Sequence, residues 1–255
     1  MHSKVSILGV NVSSINNNDL IKFFVSNIKD KKLVQVAITP VNSILAAYKD
    51  PKVLEMYNNA EFVLCDGMPV KWASHVLGNP IIERITGLDL LPQIASLAHD
   101  EKFSIFLLGA SPGVADTLAE VIKTQFSNAK IAGIYVPPFM KVFSEEENRN
   151  MVNAVNVSNA DIVLVSLTAP KQDIWIAQNK NILNPALYVG IGGAFEVMAG
   201  MTKRAPKWMQ ASGLEWLYRF IQEPKRLFRR YFIEAPVFIP LIFKQKFGWL
   251  KSPIN

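Results

Sequence analysis

Three stretches of the 255-residue chain hold residue types and spacings that could do chemistry. In Glu61-Phe-Val-Leu-Cys-Asp-Gly-Met-Pro-Val-Lys-Trp72 an apolar run ends in the carboxylate of Asp66. Gly67 allows a turn there, and Pro69 suits the first turn of a helix. A strand-end carboxylate can stand at the mouth of a cleft and work as a general base. The same carboxylate can simply cap the helix that follows. Gly109-Ala-Ser-Pro-Gly113 fits G-x-S-x-G, the nucleophile elbow, but Pro112 lacks the backbone N–H an oxyanion hole needs there. No histidine follows His99 to complete a triad, so hydrolase chemistry is excluded. A dinucleotide site is disfavoured too, because the next apolar run ends Gly133-Ile-Tyr-Val-Pro-Pro138 without an acid to hold a ribose. What remains is a glycine turn able to offer N–H groups to a diphosphate, or an ordinary tight turn. Gly190-Ile-Gly-Gly-Ala-Phe-Glu196 is the third stretch. Its glycines permit close backbone approach, and Glu196 could hold sugar hydroxyls or favour a helix N-terminus.

Metal chemistry finds no motif. D-x-D is absent, and His2, His75 and His99 have no ligand-like spacing with Cys65. An anionic substrate would then have to be balanced by arginines. These lie at one end of the chain. Residues 1–202 hold 16 Lys or Arg against 18 Asp or Glu, and residues 203–255 hold 11 against 3. A near-neutral body with a basic tail points to an anionic partner, whether phosphate groups, a membrane surface or nucleic acid.

Positioning these residues requires a scaffold, and the apolar runs supply one. Strands are expected at 5–10, 33–38, 62–65, 103–108, 131–136, 162–167 and 187–191. Several are apolar at nearly every position, as in strands covered on both faces. Helices are expected at about 18–28, 42–57, 69–77, 88–99, 113–126, 144–157 and 171–180, with a capping box at Ser144 and Glu147. This alternation predicts an α/β fold with a doubly wound, mostly parallel, Rossmann-like sheet. The division falls near Gly200: a catalytic body over 1–200 and a basic, helical, membrane-associating appendage over 201–255. Arg226, Arg229 and Arg230 are expected on one side of a late helix. The end of the chain is apolar, basic and broken by Pro236 and Pro240, suited to lying against a bilayer rather than crossing it. Half the residues are hydrophobic, which excludes global disorder. The one cysteine and the lack of a signal-like N-terminus fit a cytoplasmic setting.

Seven segments taken together resemble one family. They are Thr39-Pro-Val-Asn42, Asp66-Gly67, Arg84-Ile-Thr-Gly-Leu-Asp-Leu90, Leu108-Gly-Ala-Ser-Pro-Gly-Val-Ala115, Pro170-Lys-Gln172 with Trp175-Ile176, Gly190 to Glu196, and Arg204-Ala-Pro206 through Gly213-Leu-Glu-Trp-Leu-Tyr-Arg219 to Arg230-Tyr231. In this order they are similar to the WecG/TagA/CpsF glycosyltransferases, which pass a sugar from a UDP-sugar to an undecaprenyl-diphosphate-linked acceptor. The resemblance implies an inverting, metal-independent transfer with Asp66 as general base and Thr39, Arg84 and Gln172 beside it. It implies substrate contacts at Asn42, Gly109, Gly113, Tyr135, Gly192, Gly193 and Glu196, the last near the nucleotide ribose. Arg219, Arg226 and Arg229 would close over the diphosphate from the appendage on the inner face of the bacterial membrane. No cofactor is implied. An N-acetylmannosamine-type donor is favoured, and cell-surface polysaccharide synthesis is the expected setting. The competing reading is a non-catalytic α/β module whose basic tail binds nucleic acid.

Overall fold

The computed structural model describes residues 2–250, with the side chains of Ala211 and Arg226 outside the description. Among the described residues there are eight strands: β1 Ser3–Ile7, β2 Val10–Ser14, β3 Val34–Thr39, β4 Phe62–Cys65, β5 Ser104–Gly109, β6 Lys130–Tyr135, β7 Ile162–Ser166 and β8 Leu187–Gly190. The last six form one parallel sheet in the order β4-β3-β8-β7-β5-β6. Successive strand residues point to opposite faces. Thus Ile105, Leu107, Ile162, Leu164, Leu187 and Val189 join one core, with the helices Asn17–Lys29, Gly87–Glu101 and Val114–Gln125. Phe106, Leu108, Val163, Val165 and Tyr188 join another on the far side, with the helices Glu145–Ser158 and Lys171–Asn179. With both faces covered, the strands are apolar at almost every position, and the expected α/β architecture is borne out.

Two expectations need correction. Residues 5–10 do not form one strand of the sheet. The chain reverses at Leu8 and Gly9, whose φ values of 49° and 89° are the paired positive angles of a tight hairpin turn, and β1 pairs with β2 outside the main sheet. Leucine at positive φ gives no turn signal. Likewise the helix expected over 42–57 is two, Val41–Lys49 and Pro51–Asn58. Pro51 ends the first helix and opens the second, whose N-cap Asp50 accepts the Lys52 N–H at 2.9 Å.

Beyond Gly200 the chain forms the helices Lys207–Ala211, Glu215–Gln222 and Pro224–Phe228, a π-helical turn Arg229–Glu234 and a helix Phe238–Lys246. This last helix packs onto the hairpin side of the body. Phe238 and Ile242 are buried with Val70, Ala73 and Ile81. Gln245 Oε1 accepts the Leu8 N–H at 2.8 Å, and its Nε2 donates to the Ser6 carbonyl at 2.8 Å, so one side chain holds the hairpin turn.

Under the sheet lies a buried polar cluster. Tyr57 donates its hydroxyl to Asp173 Oδ2 at 2.9 Å, and Gln35 Nε2 donates to the Asp173 carbonyl at 3.0 Å. All three residues are fully buried. Burial pushes the Asp173 carboxyl up to about 8, against the opposing effect of the Tyr57 hydrogen bond. The folded state therefore holds this proton more tightly than the unfolded chain, whose aspartates titrate near ~3.9. The resulting stability is fully present below that lower value and is lost as pH rises towards 8. Asp173→Asn should flatten this part of the stability curve: calorimetric Tm from pH 4.5 to 8.5 should fall less in the variant than in the parent. Parallel curves would contradict the assignment.

Candidate active site

The carboxyl ends of neighbouring strands bring the sequence-marked residues into one row. Thr39 pairs with Cys65 across β3 and β4, Ala37 with Gly190 across β3 and β8, and Gly109 with Ser166 across β5 and β7. β5 continues through a helix on one face of the sheet and β7 through a helix on the other. Strand ends that part in this way open a crevice, the usual ligand position in such sheets.

Asp66 stands at the β4 end of the row. Its N–H donates to the Thr39 carbonyl at 3.3 Å, and the preceding Cys65 carbonyl accepts the Ile85 N–H at 3.2 Å. Gly67 then turns with φ 91° and ψ 151°, a conformation glycine adopts without strain. The helix Met68–Val76 starts from Gly67 with no side-chain cap, so the capping reading of Asp66 is corrected. Burial pushes the Asp66 carboxyl above its ordinary range, while Arg230, Arg219 and Arg84 pull it down and Glu215 pushes it up. Three guanidinium groups and one carboxylate thus act on it through their charge. Burial drives the neighbouring Cys65 thiol up to about 12, which leaves that sulfur un-ionised and unreactive at neutral pH.

Thr39 is fully buried, and its Oγ1 has no hydrogen-bond partner among the described residues; the same holds for Asn42 Oδ1 and Glu196 Oε2. Buried polar atoms are normally paired, and these three belong to residues the sequence had marked for substrate. Gln172 has a different part. Its Oε1 accepts the Gly192 N–H at 3.1 Å, and Ser166 donates its hydroxyl to the Gly192 carbonyl at 2.8 Å. The two peptides flanking the Gly192 Cα are therefore each held by a side chain, and Ser166 is a support that sequence reasoning missed. A Cβ on Gly190 would lie 2.7 Å from Gln172 Nε2 and 2.4 Å from Asp173 Oδ1, so the close approach requires glycine. At Gly193 a Cβ would meet Arg219 Nη2 at 3.2 Å and Glu196 Oε2 at 3.7 Å, which puts the arginine of the appendage against the β8 turn.

The other marked residues divide. Gly109 packs on the Ser166 carbonyl, 2.4 Å from where a Cβ would sit. Gly113 opens the helix Val114–Gln125 at φ 81° with nothing within 4 Å of a Cβ. Tyr135, at the β6 end, donates its hydroxyl to Glu147 Oε1 at 3.0 Å. These lie four or five strand spacings from Asp66, roughly 19–24 Å, so a ligand touching both ends of the row must be extended. Arg229 is not brought in: its Nε pairs with Glu234 at 3.0 Å and its side chain is 81% exposed. Arg230 instead acts on Asp66 through its charge. Here the chain forms a π-helical turn, in which the Ala235 N–H reaches back five residues to the Arg230 carbonyl, so its side chains do not follow the face of a regular α-helix. The Arg226 side chain lies outside the described residues.

Body and appendage meet in a ring of alternating charge. Arg204 Nη2 lies 2.6 Å from Asp89 Oδ1, and its Nε lies 3.1 Å from Glu215 Oε1. Arg84 closes the ring at 3.6 Å from Glu215 Oε2 and 4.0 Å from Asp89 Oδ2. Thr86, the N-cap of the helix Gly87–Glu101, donates its hydroxyl to Asp89 Oδ2 at 2.7 Å. Among the described residues no three His, Cys, Asp or Glu side chains gather as a metal site.

Residues 5–252 match the model of the Glycosyl transferase WecG/TagA/CpsF family. The chain belongs to that family. An N-acetylglucosaminyldiphosphoundecaprenol N-acetyl-beta-D-mannosaminyltransferase of Staphylococcus aureus strain MW2 is 30% identical over 247 residues, 96% of this chain and 94% of that protein. The protein of the same name from strain NCTC 8325 / PS 47 shows the same identity and coverage. The enzyme is thus a glycosyltransferase. Arg230 and Glu215 stood inside segments that carried the resemblance, but nothing in their spacing showed that they act on Asp66.

The electrostatics of the Asp66 environment can be measured. Arg219→Ala and Arg230→Ala should each move its titration to higher pH, because a charge favouring the carboxylate is gone. Carbon-detected NMR of the Asp66 carboxyl reads this directly. A shift to lower pH in either variant would show that the guanidinium groups do not face it.

Proposed function

We propose that the enzyme transfers a sugar from a UDP-sugar to a GlcNAc-diphospho-undecaprenol-type lipid, with inversion and without a metal, in cell-surface polysaccharide synthesis. The observation that carries this reading is a partly buried carboxylate at a strand end, on which guanidinium groups of both body and appendage act through their charge. Asp66 takes the proton of the acceptor hydroxyl as that oxygen bonds the anomeric carbon. The bond from that carbon to the diphosphate breaks on the opposite face, and UDP leaves with the electron pair. Burial raises the basicity of Asp66, which suits a general base, and the reaction slows as pH falls through its raised pKa. Arg84, Arg219 and Arg230 balance the charge growing on the leaving diphosphate. Thr39, Asn42 and Glu196 offer unpartnered polar atoms to sugar hydroxyls. The names of the relatives favour N-acetylmannosamine as the sugar moved. The nucleic-acid reading loses its support, because the family and the named relatives are glycosyltransferases.

The acceptor's lipid calls for a membrane face, and the surface offers one. No helix among the described residues is long and apolar enough to cross a bilayer. Trp72 on the helix after Asp66 is 53% exposed, and Trp249 at the end of the appendage is 72% exposed. Phe243 and Phe247 are exposed as well, and Lys244 and Lys246 lie in the last turn of the helix Phe238–Lys246. Aromatic and basic side chains together favour the interface of an anionic bilayer.

Two experiments test these assignments. A screen of UDP-sugars against a synthetic GlcNAc-diphosphate-lipid in EDTA, read by mass spectrometry, should give a disaccharide-lipid of inverted configuration. Asp66→Asn should lower turnover by about 10²–10⁴-fold while UDP binding persists. Near-normal turnover in Asp66→Asn would remove Asp66 as base, and a strict metal requirement would remove the arginine account. Separately, Phe247→Ser with Trp249→Ser should release the protein from vesicles containing anionic lipid in a flotation assay. Unchanged flotation would place the membrane face elsewhere.

A further inference from the structure

The charge ring is uneven, and the unevenness assigns its members different work. Arg204 holds the short contacts, 2.6 Å to Asp89 and 3.1 Å to Glu215. Arg84 holds only long ones, 3.6 Å and 4.0 Å to the same two carboxylates. Charge-assisted hydrogen bonds run near 2.7–2.9 Å, so Arg84 is steered by the carboxylates without its donors being consumed. Arg204 has a further tie. Pro92, inside the helix Gly87–Glu101, has no N–H to give to the Leu88 carbonyl four residues back, and Arg204 Nη1 approaches that carbonyl at 3.5 Å. A lysine could not span two carboxylates and this carbonyl with one planar fork.

We propose that Arg204 is a positioning residue: by taking the short contacts of Asp89 and Glu215 it keeps the Arg84 donors free for an anionic substrate group beside Asp66. Without Arg204, two carboxylates face the single guanidinium of Arg84 and draw it into a close pair. The anion is the nucleoside diphosphate if the proposed function holds, and this part of the inference rests on that reading. The geometry itself requires only a diphosphate-like ligand. Arg204 and Glu215 belong to the appendage and Arg84 and Asp89 to the body, so docking of the appendage and release of Arg84 become one event.

A purely structural clamp makes the opposite prediction for one double variant. If Arg204 only ties the appendage down, removing Glu215 as well weakens the tie further. If Arg204 spares Arg84, removing Glu215 removes a competitor and restores function. Binding of inorganic diphosphate and of UDP should be measured by calorimetry, and KM and kcat for transfer alongside, with Tm as the check on folding. Arg204→Ala should weaken both ligands about ten- to hundred-fold and raise KM more than it lowers kcat. Arg204→Ala with Glu215→Gln should recover most of that loss despite an unchanged or lower Tm. A double variant no better than Arg204→Ala overturns the proposal, as does near-normal binding in Arg204→Ala itself. Should Arg204→Ala not fold, Arg204→Lys with and without Glu215→Gln carries the same comparison. A parent protein that binds diphosphate but not UDP would overturn the proposed function while leaving the diphosphate series to decide this inference. A parent that binds neither overturns both.

Discussion

A carboxylate drawn partly out of water loses several kcal/mol of hydration unless charge or hydrogen bonds replace it. Asp66 is in that position, and its compensation comes from Arg84, Arg219 and Arg230. Two of those three lie beyond residue 200, so the body alone cannot supply them. The charge state of the strand-end carboxylate is therefore a property of body and appendage together. Beside the apolar contact of Phe238 and Ile242, the two parts are accordingly tied by a polar one, a closed ring of two arginines and two acids. The ring is neutral in sum and leaves the field at Asp66 to the arginines outside it and to the loosely held Arg84.

The sheet supplies what the charges require, a rigid row of strand ends at fixed spacing. Glycine allows the row to be dense. A Cβ on Gly87 would lie 2.6 Å from the Ile191 carbonyl, so the helix carrying Asp89 can approach the β8 end only without a side chain there. At Gly190 the same close approach seats the neighbouring Gln172 against the turn it holds. Small displacements in these contacts would move Asp89 and the Gly192 turn together, since the helix carrying Asp89 packs on the end of β8 and the turn continues from it. Backbone close packing and side-chain electrostatics are thus one constraint here.

Much of this was legible in the sequence, for a physical reason. Strands covered on both faces are apolar at almost every position, so most of β3 to β8 stand out as runs, and some helices between them carry side-chain caps, as at Asp50, Thr86 and Ser144. The resemblance gathered residues that fold to one row of strand ends. What escaped depended on tertiary context. Leu8 at positive φ hides a hairpin turn because leucine gives no signal for it. Arg229, expected on one side with Arg230, pairs with Glu234 in solvent within a π-helical turn, a departure that a 3.6-residue period cannot register. Ser166 reads as an ordinary strand residue until the Gly192 carbonyl is placed beside it. Asp66 was ambiguous between cap and base, and the helix after it proved to start from Gly67 instead.

The arrangement also accounts for the hydrophobic outer surface of the appendage. It is fastened to the body at one end by the charge ring and at the other by Phe238, Ile242 and Gln245. Between them Trp216, Phe220, Tyr231 and Phe232 stack mainly on one another, while Ile221, Phe228 and Ile233 remain exposed. Leu227 is buried in this stretch, but these large apolar side chains remain in solvent. On the proposed reading the bilayer covers them. Binding the surface that carries the acceptor lipid then stabilises the same docked appendage that brings Arg219 and Arg230 to Asp66. By linkage, any preference of the membrane for the docked form must appear equally as a preference of the assembled site for the membrane. Localisation and catalysis would then be two readings of one equilibrium, set by whether the appendage is docked.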